Sequence, residues 1–141
     1  MRYSIPEIYK IFLEHPICTD SRKVAQGQMF FALKGRNFDG NKYATYALSR
    51  GCSYAIVDDP KVSINERYIL VDNALKTLQN LANHHRRILD IPILAITGSN
   101  GKTTTKELLK RVLSQRFKVF ATIGNFNNNI GVPLTLSLIH I

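Results

Sequence analysis

The chain has 141 residues, of which 45% are apolar, and a formal net charge of +9. This length suits one ordinary domain or two small ones, and the apolar content argues against wholesale disorder. No run reaches the roughly 18 apolar residues that cross a bilayer, and the start, MRYSIPEIYK, lacks the apolar run of a signal peptide. We therefore expect a cytoplasmic chain without membrane insertion.

The positive charge leaves nucleic acid, a membrane surface or an anionic small molecule open as partners. The densest basic cluster, HHRR at 84–87, is only four residues long, and no Lys/Arg tract is interleaved with aromatic residues. This argues against nucleic acid, although a basic nucleic-acid-binding domain stays an alternative. Cys18 and Cys52 lie far apart without metal-type spacing, so we expect two free thiols.

Helices and strands are predicted to alternate along the first 90 residues. Ser4 and Glu7 form a capping box, which predicts a short helix that ends near 15–16. Residues 42–50 read as a second helix, with Gly51 after its end. Three apolar runs predict buried strands: 29–33, 54–57 and 68–71.

A longer helix follows, for which Asp72 is a candidate N-cap. Its apolar face is predicted to contain Leu75, Leu78, Ala82, His85 and Leu89. His85 falls on that stripe, so we expect a core or rim histidine and not a catalytic one. Ile91-Pro92 breaks the pattern, which predicts one domain over 1–90 and a second over 91–141.

The second part begins with a β-loop-α pattern: a strand over 93–97, a polar loop and a helix over 102–115. A further strand is predicted over 118–121, so both parts read as α/β. About 50 residues cannot cover both faces of a parallel sheet, and the chain stops inside an apolar stretch. We expect a fragment of a longer protein, or a chain whose residues 137–141 are not native to it.

The loop within ILAITGSNGKTTT has the features of a phosphate-binding site. Gly98 and Gly101 permit positive φ, so successive N–H groups can form an anion-binding nest at the start of a helix. Lys102 is placed to contact the β- and γ-phosphates, and the Thr103 hydroxyl to ligate Mg²⁺. The common phosphate loop has glycine where this chain has Ile96. A glycine-containing helix start without a ligand is the alternative.

This loop is very similar to the ATP loop of the Mur ligases, which lack the first glycine of the common motif. Folylpolyglutamate and cyanophycin synthetases carry similar loops. The resemblance implies ATP and Mg²⁺ as cofactors, a catalytic role for Lys102 and metal ligation by Thr103. The implied ATP-binding residues are Gly98, Ser99, Asn100, Gly101, Lys102, Thr103 and Thr104.

An upstream pattern favours the Mur ligases among these families. TDSRKV at 19–24, FFALKG at 30–35 and FDG at 38–40 resemble the N-terminal domain that holds the UDP part of a UDP-muramoyl-peptide. An arginine fork such as that of Arg22 suits a diphosphate. The implied substrate-binding residues are Ser21, Arg22, Lys34, Asp39 and Gly40. Many relatives have histidine at the next position, where this chain has Asn41.

A downstream pattern, GNFNNNIGVP at 124–133, resembles the branch of the family that joins D-alanyl-D-alanine to UDP-N-acetylmuramoyl-tripeptide. By this resemblance Asn125 and Asn128 bind substrate beside the ATP phosphates. An Asn-rich turn is the alternative.

The resemblance implies a monomeric ligase that forms an acyl phosphate from ATP and the substrate carboxylate. Its fold would be a small N-terminal α/β UDP-substrate domain, followed by the start of a P-loop parallel-sheet ATPase domain. We expect this chain alone to be inactive, because further catalytic residues would lie beyond position 141. Another Mur ligase, such as the one adding the third amino acid, and a non-catalytic nucleotide- or UDP-sugar-binding module remain alternatives.

Overall fold

The computed structural model describes residues 3–124, 126 and 128–139. The strands are β1 (Ile17–Cys18), β2 (Met29–Phe31), β3 (Lys34–Gly35), β4 (Phe38–Asp39), β5 (Tyr54–Val57) and β6 (Tyr68–Leu70). The helices are α1 (Ile5–Phe12), α2 (Ala44–Ser49), α3 (Ala74–Leu89), α4 (Lys102–Leu113) and α5 (Gly131–Ser137). Short 3₁₀ turns cover Ser21–Lys23, Gly40–Tyr43 and Pro60–Val62.

A four-stranded parallel sheet in the order β1-β2-β5-β6 organises the first part of the chain. Strands β3 and β4 form a separate two-stranded antiparallel hairpin. The apolar runs at 29–31, 54–57 and 68–70 are continuous because helices cover both faces of the sheet. The predicted α/β class with a parallel sheet is confirmed.

The two faces of the sheet bury alternate residues of each strand. Phe31, Ile56 and Ile69 face a cluster that includes residues of α1 and α3. Phe30 and Ala55 face the opposite cluster, which includes residues of α2. The sheet therefore carries a packed core on each side, and this fixes the position of every loop that leaves its strands.

The helix starts agree with the predicted caps except at one position. The amide and hydroxyl of Ser4 both donate to the Glu7 carboxylate, at 2.7 and 2.6 Å, which holds the pKa of Glu7 below its usual value. The predicted cap of α3 at Asp72 is wrong by one residue. Asn73 is the N-cap, because its side-chain oxygen accepts from the Lys76 amide at 2.8 Å.

The histidine and cysteine side chains of the first part are mostly enclosed. His85 is buried on the core face of α3, as predicted, where its Nδ1 lies 3.0 Å from the Tyr9 hydroxyl. Cys18 and Cys52 are separate buried thiols. Burial raises the pKa of Cys52 to about 11, so this thiol stays protonated and unreactive at neutral pH.

The second part differs from its prediction in its strands. Helix α4 is present, and this confirms the helix predicted over 102–115. Residues 93–97 and 118–121 form no β-ladder, so the two predicted strands are wrong for this chain. The backbone groups of a strand must hydrogen-bond to a neighbouring strand. In the described part of the chain, neither segment has such a partner.

The last helix returns to the first part of the molecule. Helix α5 packs against α3, and Ile130 and Leu134 join the core cluster beneath that helix. The Gln79 side chain donates to the Asn129 carbonyl at 3.0 Å. The division into domains 1–90 and 91–141 stays a prediction. No helix of the described residues is long and apolar enough to cross a membrane.

Candidate phosphate loop and substrate edge

Most of the predicted substrate residues follow strands of the parallel sheet. Since the carboxyl ends of parallel strands meet at one edge, the segments after β1, β2 and β5 lie along a common rim. We call this rim the carboxyl edge and define it as residues 19–23, 34–41 and 58. It holds five of the seven predicted substrate residues.

Asp58 is the centre of a polar network on the carboxyl edge. Its Oδ1 lies 2.8 Å from the Lys34 Nζ and accepts from the Asn41 Nδ2 at 2.9 Å. Its Oδ2 accepts from the Ala74 amide at the start of α3 at 3.2 Å. Burial raises the pKa of Asp58, but the bonds from Lys34, Asn41 and Ala74 outweigh burial and hold it below its usual value. The carboxylate is therefore charged at neutral pH.

Asn41 connects Asp58 to the hairpin. The side chain is almost fully buried; its Nδ2 also donates to the Asp39 Oδ1 at 2.9 Å, and its Oδ1 accepts from the Asp58 amide at 3.1 Å. Asp39 also accepts from the Asn41 amide at 3.0 Å, and the side-chain bond to Asn41 is the main cause that lowers its pKa. A neutral amide that both donates and accepts therefore links Asp39 and Asp58 at this position.

Gly40 is required by its close approach to the backbone of residues 32–33, between β2 and the hairpin. A Cβ built on Gly40 would lie 2.6 Å from the Leu33 carbonyl oxygen and 2.7 Å from the Ala32 carbonyl carbon. The Gly40 amide donates to that same Leu33 oxygen at 2.9 Å. The predicted residues Lys34, Asp39 and Gly40 are therefore brought together around Asp58.

Ser21 and Arg22 lie one strand away on the carboxyl edge. Ser21 is buried, whereas the Arg22 side chain is 86% exposed. The guanidinium donates to both carboxylate oxygens of Asp20, each at 2.9 Å, and these bonds lower the pKa of Asp20 to about 2. The Arg22 guanidinium is thus held at the surface by two parallel hydrogen bonds to the Asp20 carboxylate.

Asp58 was not among the residues that the sequence pointed to. Its segment, Asp-Asp-Pro, reads simply as the end of a strand. The available signal was its position: a carboxylate directly after a buried parallel strand belongs to the edge at which α/β proteins bind ligands.

The phosphate loop has the backbone conformation that its glycines predict. Gly98 has a φ of 144° and Gly101 a φ of 77°, and Gly101 is the N-cap of α4. The first N–H groups of a helix have no acceptor within the helix, and here they lie in an exposed loop. The loop can therefore present these N–H groups to an anion.

Lys102 lies folded over this loop. Its Nζ donates to the Gly98 carbonyl and lies 3.4 Å from the Ser99 carbonyl oxygen. Thr103 and Thr104 are exposed on the first turn of α4. A triphosphate with Mg²⁺ fits this set of groups, because the loop offers N–H donors, one amine and a hydroxyl. Among the described residues no three His, Cys, Asp or Glu side chains are grouped as a metal site.

Residues 124–133, which we call the Asn-rich segment, are described in part. Asn125 and Asn127 lie outside the described residues. The Asn128 Oδ1 accepts from the amides of Ile130 and Gly131, at 3.1 and 2.7 Å, at the start of α5. In this structure the Asn128 side-chain oxygen therefore orders a helix start.

A cavity of about 630 Å³ lies between the carboxyl edge and the last third of the chain. On one side it is lined by Thr19, Asp20 and Lys23 of the edge. On the other side it is lined by residues of 119–138, among them Phe126 and Thr135. The cavity brings the segment of Ser21 and Arg22 and the Asn-rich segment to one space.

Comparison with known proteins agrees with this architecture. Residues 14–86 match the model described as "Mur ligase family, catalytic domain", and residues 96–140 match the "Mur ligase middle domain". The chain is 42% identical over 130 residues to the UDP-N-acetylmuramoyl-tripeptide–D-alanyl-D-alanine ligase of Bacillus subtilis, covering 91% of this chain and 28% of the relative. The ligase of the same name from Escherichia coli is 38% identical over 120 residues, with coverages of 85% and 26%.

Solved structures give the same result. The MurF ligase of Thermotoga maritima, in complex with ADP, superposes with a TM-score of 0.82 at 35% identity, covering 89% of this chain and 29% of that one. A MurF of Acinetobacter baumannii superposes with a TM-score of 0.83 at 30% identity, with coverages of 99% and 34%. The chain thus spans little more than a quarter of the length of the curated relatives it matches, and it belongs to the Mur ligase family.

Proposed function

We propose that this chain is part of an ATP-dependent carboxylate–amine ligase of peptidoglycan precursor synthesis, namely the part that binds the UDP group of the substrate and ATP. Its substrates would be UDP-N-acetylmuramoyl-tripeptide and D-alanyl-D-alanine, and it would act as a cytoplasmic monomer without nucleic acid. The observation that carries this proposal is the joint presence, in one chain, of the preorganised carboxyl edge and a phosphate loop with both glycines at positive φ. The names of the curated relatives favour D-alanyl-D-alanine over another added amino acid.

The carboxyl edge would hold the UDP part of the acceptor substrate. Asp58 and Asn41 fix the hairpin, so that Lys34 and the Gly40 backbone keep one arrangement before a ligand arrives. Ser21 and the Arg22 fork would meet uracil or diphosphate oxygens beside the cavity. A site whose groups are already held in place loses less entropy on binding.

The phosphate loop would hold ATP. Bound Mg²⁺ supplies charge neutralisation between the phosphates, and Thr103 is the residue here that would ligate it. Lys102 would exchange its contact with the Gly98 carbonyl for the β- and γ-phosphates, because a charged amine prefers an anionic oxygen to a neutral one. Asn125 and Asn128 would donate from their amides at the same place.

The chemistry proposed for the whole enzyme has two steps. A substrate carboxylate oxygen attacks the γ-phosphorus, ADP leaves, and an acyl phosphate forms. The amine of D-alanyl-D-alanine then attacks the acyl carbon, and phosphate and a proton leave. Lys102 would stabilise charge in the first step. None of the residues singled out here is suited to act as the base in the second step, so we infer that the isolated chain is inactive.

Ligand-dependent thermal unfolding tests both halves of the proposal. Mg-ATP and UDP-N-acetylmuramoyl-tripeptide should each raise the Tm of the chain, since a ligand at 100 times its Kd adds about 2.7 kcal/mol. Lys102→Ala should abolish the ATP shift and leave the UDP-ligand shift intact. Lys118→Ala, which removes an exposed charge outside the loop, serves as the control and should keep both shifts.

Several results would contradict the proposal or a part of it. The absence of any shift with either ligand would contradict the ligase assignment. An equal loss of both shifts in Lys102→Ala would mean that the two sites are not separate. Phosphate release by the isolated chain, dependent on the tripeptide substrate, would contradict the inferred inactivity, whereas binding without release in a longer protein would favour the non-catalytic module.

A further inference from the structure

Lys106 makes an unusual set of contacts on α4, one turn after Lys102. Its Nζ lies 2.6 Å from the Thr122 carbonyl oxygen and 2.9 Å from that of Gly124. The same Nζ lies 2.9 Å from a carboxylate oxygen of Glu107. The Lys106 side chain is only 13% exposed, although most of α4 is open to solvent.

These contacts use the full donor capacity of the amine. An ammonium has three N–H donors, and here it meets three acceptors, two of which belong to a distant backbone segment. Hydrogen bonds from a charged donor are the stronger class. The bond to Lys106 also holds the pKa of Glu107 below its usual value, so this carboxylate is charged at neutral pH.

The segment that receives these bonds has little else to hold it. Residues 118–124 form no β-ladder, and every one of them is at least partly exposed. In the described part of the chain, the hydrogen bonds that join α4 to residues 118–124 all come from Lys106. This one side chain therefore sets the distance between α4 and the turn at 122–124.

We propose that Lys106 is a positioning residue that holds the start of the Asn-rich segment against the phosphate-loop helix. Gly124 directly precedes Asn125, so its carbonyl fixes where the segment begins. Residues four apart share one face of a helix, so α4 presents Lys102 to the phosphate site and Lys106 to the segment from the same side. This inference rests on the proposed function for its consequence, which is that nucleotide affinity depends on Lys106.

Hydrogen exchange of the complete chain tests the tether without any ligand. Lys106→Met keeps the length and apolar stem of the side chain and removes the donors. We expect exchange in peptides that cover 122–126 to become faster by about tenfold or more, since charged hydrogen bonds are strong, with β2 and β5 unchanged. Lys106→Arg should restore much of the protection, and Arg111→Met, the same charge loss on another side of α4, should have none of this effect.

Three results of that experiment would overturn the proposal. Unchanged exchange at 122–126 in Lys106→Met would mean that the contacts do not hold the segment. Uniformly faster exchange, including β2 and β5, would reduce Lys106 to a general stability residue. A selective effect of equal size in Arg111→Met would assign the role to the net charge of α4 and not to the Lys106 donors.

Nucleotide affinity provides the second readout. Isothermal titration calorimetry with Mg-ATP should give an about tenfold higher Kd for Lys106→Met. The misplaced Asn-rich segment would lose a hydrogen bond to a charged phosphate of ATP. Lys106→Arg should lie near the wild type, and Arg111→Met within about twofold of it. Equal weakening in Lys106→Met and Arg111→Met would reveal a charge effect alone and contradict the proposal. If the wild type fails to bind Mg-ATP, the proposed function fails, and the exchange experiment still decides the role of Lys106.

Discussion

The two parts of this chain reach their functional geometry in different ways. In residues 3–90 a sheet buried on both faces supports a polar edge whose side chains hold one another through Asp58. Between residues 91 and 124 no residue is buried, yet the phosphate loop still has its two positive-φ glycines and its helix. A loop of this kind is encoded by adjacent residues, whereas an edge built from three strands requires the whole core.

Truncation of one phenylalanine in each part should give the largest difference. Phe30→Ala removes a fully buried ring and should lower the free energy of unfolding by about 3–5 kcal/mol. Phe117→Ala removes the same atoms from a ring that is 60% exposed and should cost less than about 0.5 kcal/mol. Urea denaturation followed by circular dichroism measures both. A comparable loss in Phe117→Ala would show that residues 91–124 have a core of their own.

Substitution of two glycines in and next to the hairpin should separate a closely packed backbone position of the first part from an open one. Gly40→Ala places a Cβ 2.6 Å from a backbone oxygen that cannot move aside, so we expect a cost of about 1–3 kcal/mol. Gly35→Ala, at the other end of the hairpin, meets its nearest atom at 4.0 Å and serves as the control. Its free energy of unfolding should stay within about 0.5 kcal/mol of the wild type. Equal stability of the two variants would contradict the close approach of Gly40 to the backbone of residues 32–33.

The same contrast explains what the sequence could predict. The capping box at Ser4 and the loop glycines depend on neighbours in the chain, and these predictions are confirmed. The apolar runs of β2, β5 and β6 are confirmed as strands because they find partner strands in the sheet. The strands predicted at 93–97 and 118–121 have no partner strand in the described part of the chain, so their apolar runs alone gave a wrong prediction. Asp58 and Asn41 are 17 residues apart, and no local pattern indicates that the Asn41 side chain donates to the Asp58 carboxylate and accepts from the Asp58 amide.

The smallest expected effect is the dependence of stability on pH through Asp58. Its bonds to Lys34, Asn41 and Ala74 place its folded pKa below the ordinary value of 3.8 in spite of burial. A group with a lowered folded pKa stabilises the fold above its unfolded pKa, and the contribution is lost as the pH falls through the folded pKa. The free energy of unfolding should therefore be level above about pH 5 and decline below about pH 4.

Asp58→Asn should make this decline shallower, because one of the carboxylates that must be protonated on unfolding in acid has been removed. The decline should not vanish, since Asp20 and Asp39 also have lowered pKa values and titrate in the same range. Asp90→Asn, an exposed change outside the network, should keep the wild-type slope. Urea titrations at about pH 6, 4 and 3 measure the slopes. A wild-type slope in Asp58→Asn would mean that the carboxyl edge is held by packing and that its charges contribute nothing to its order.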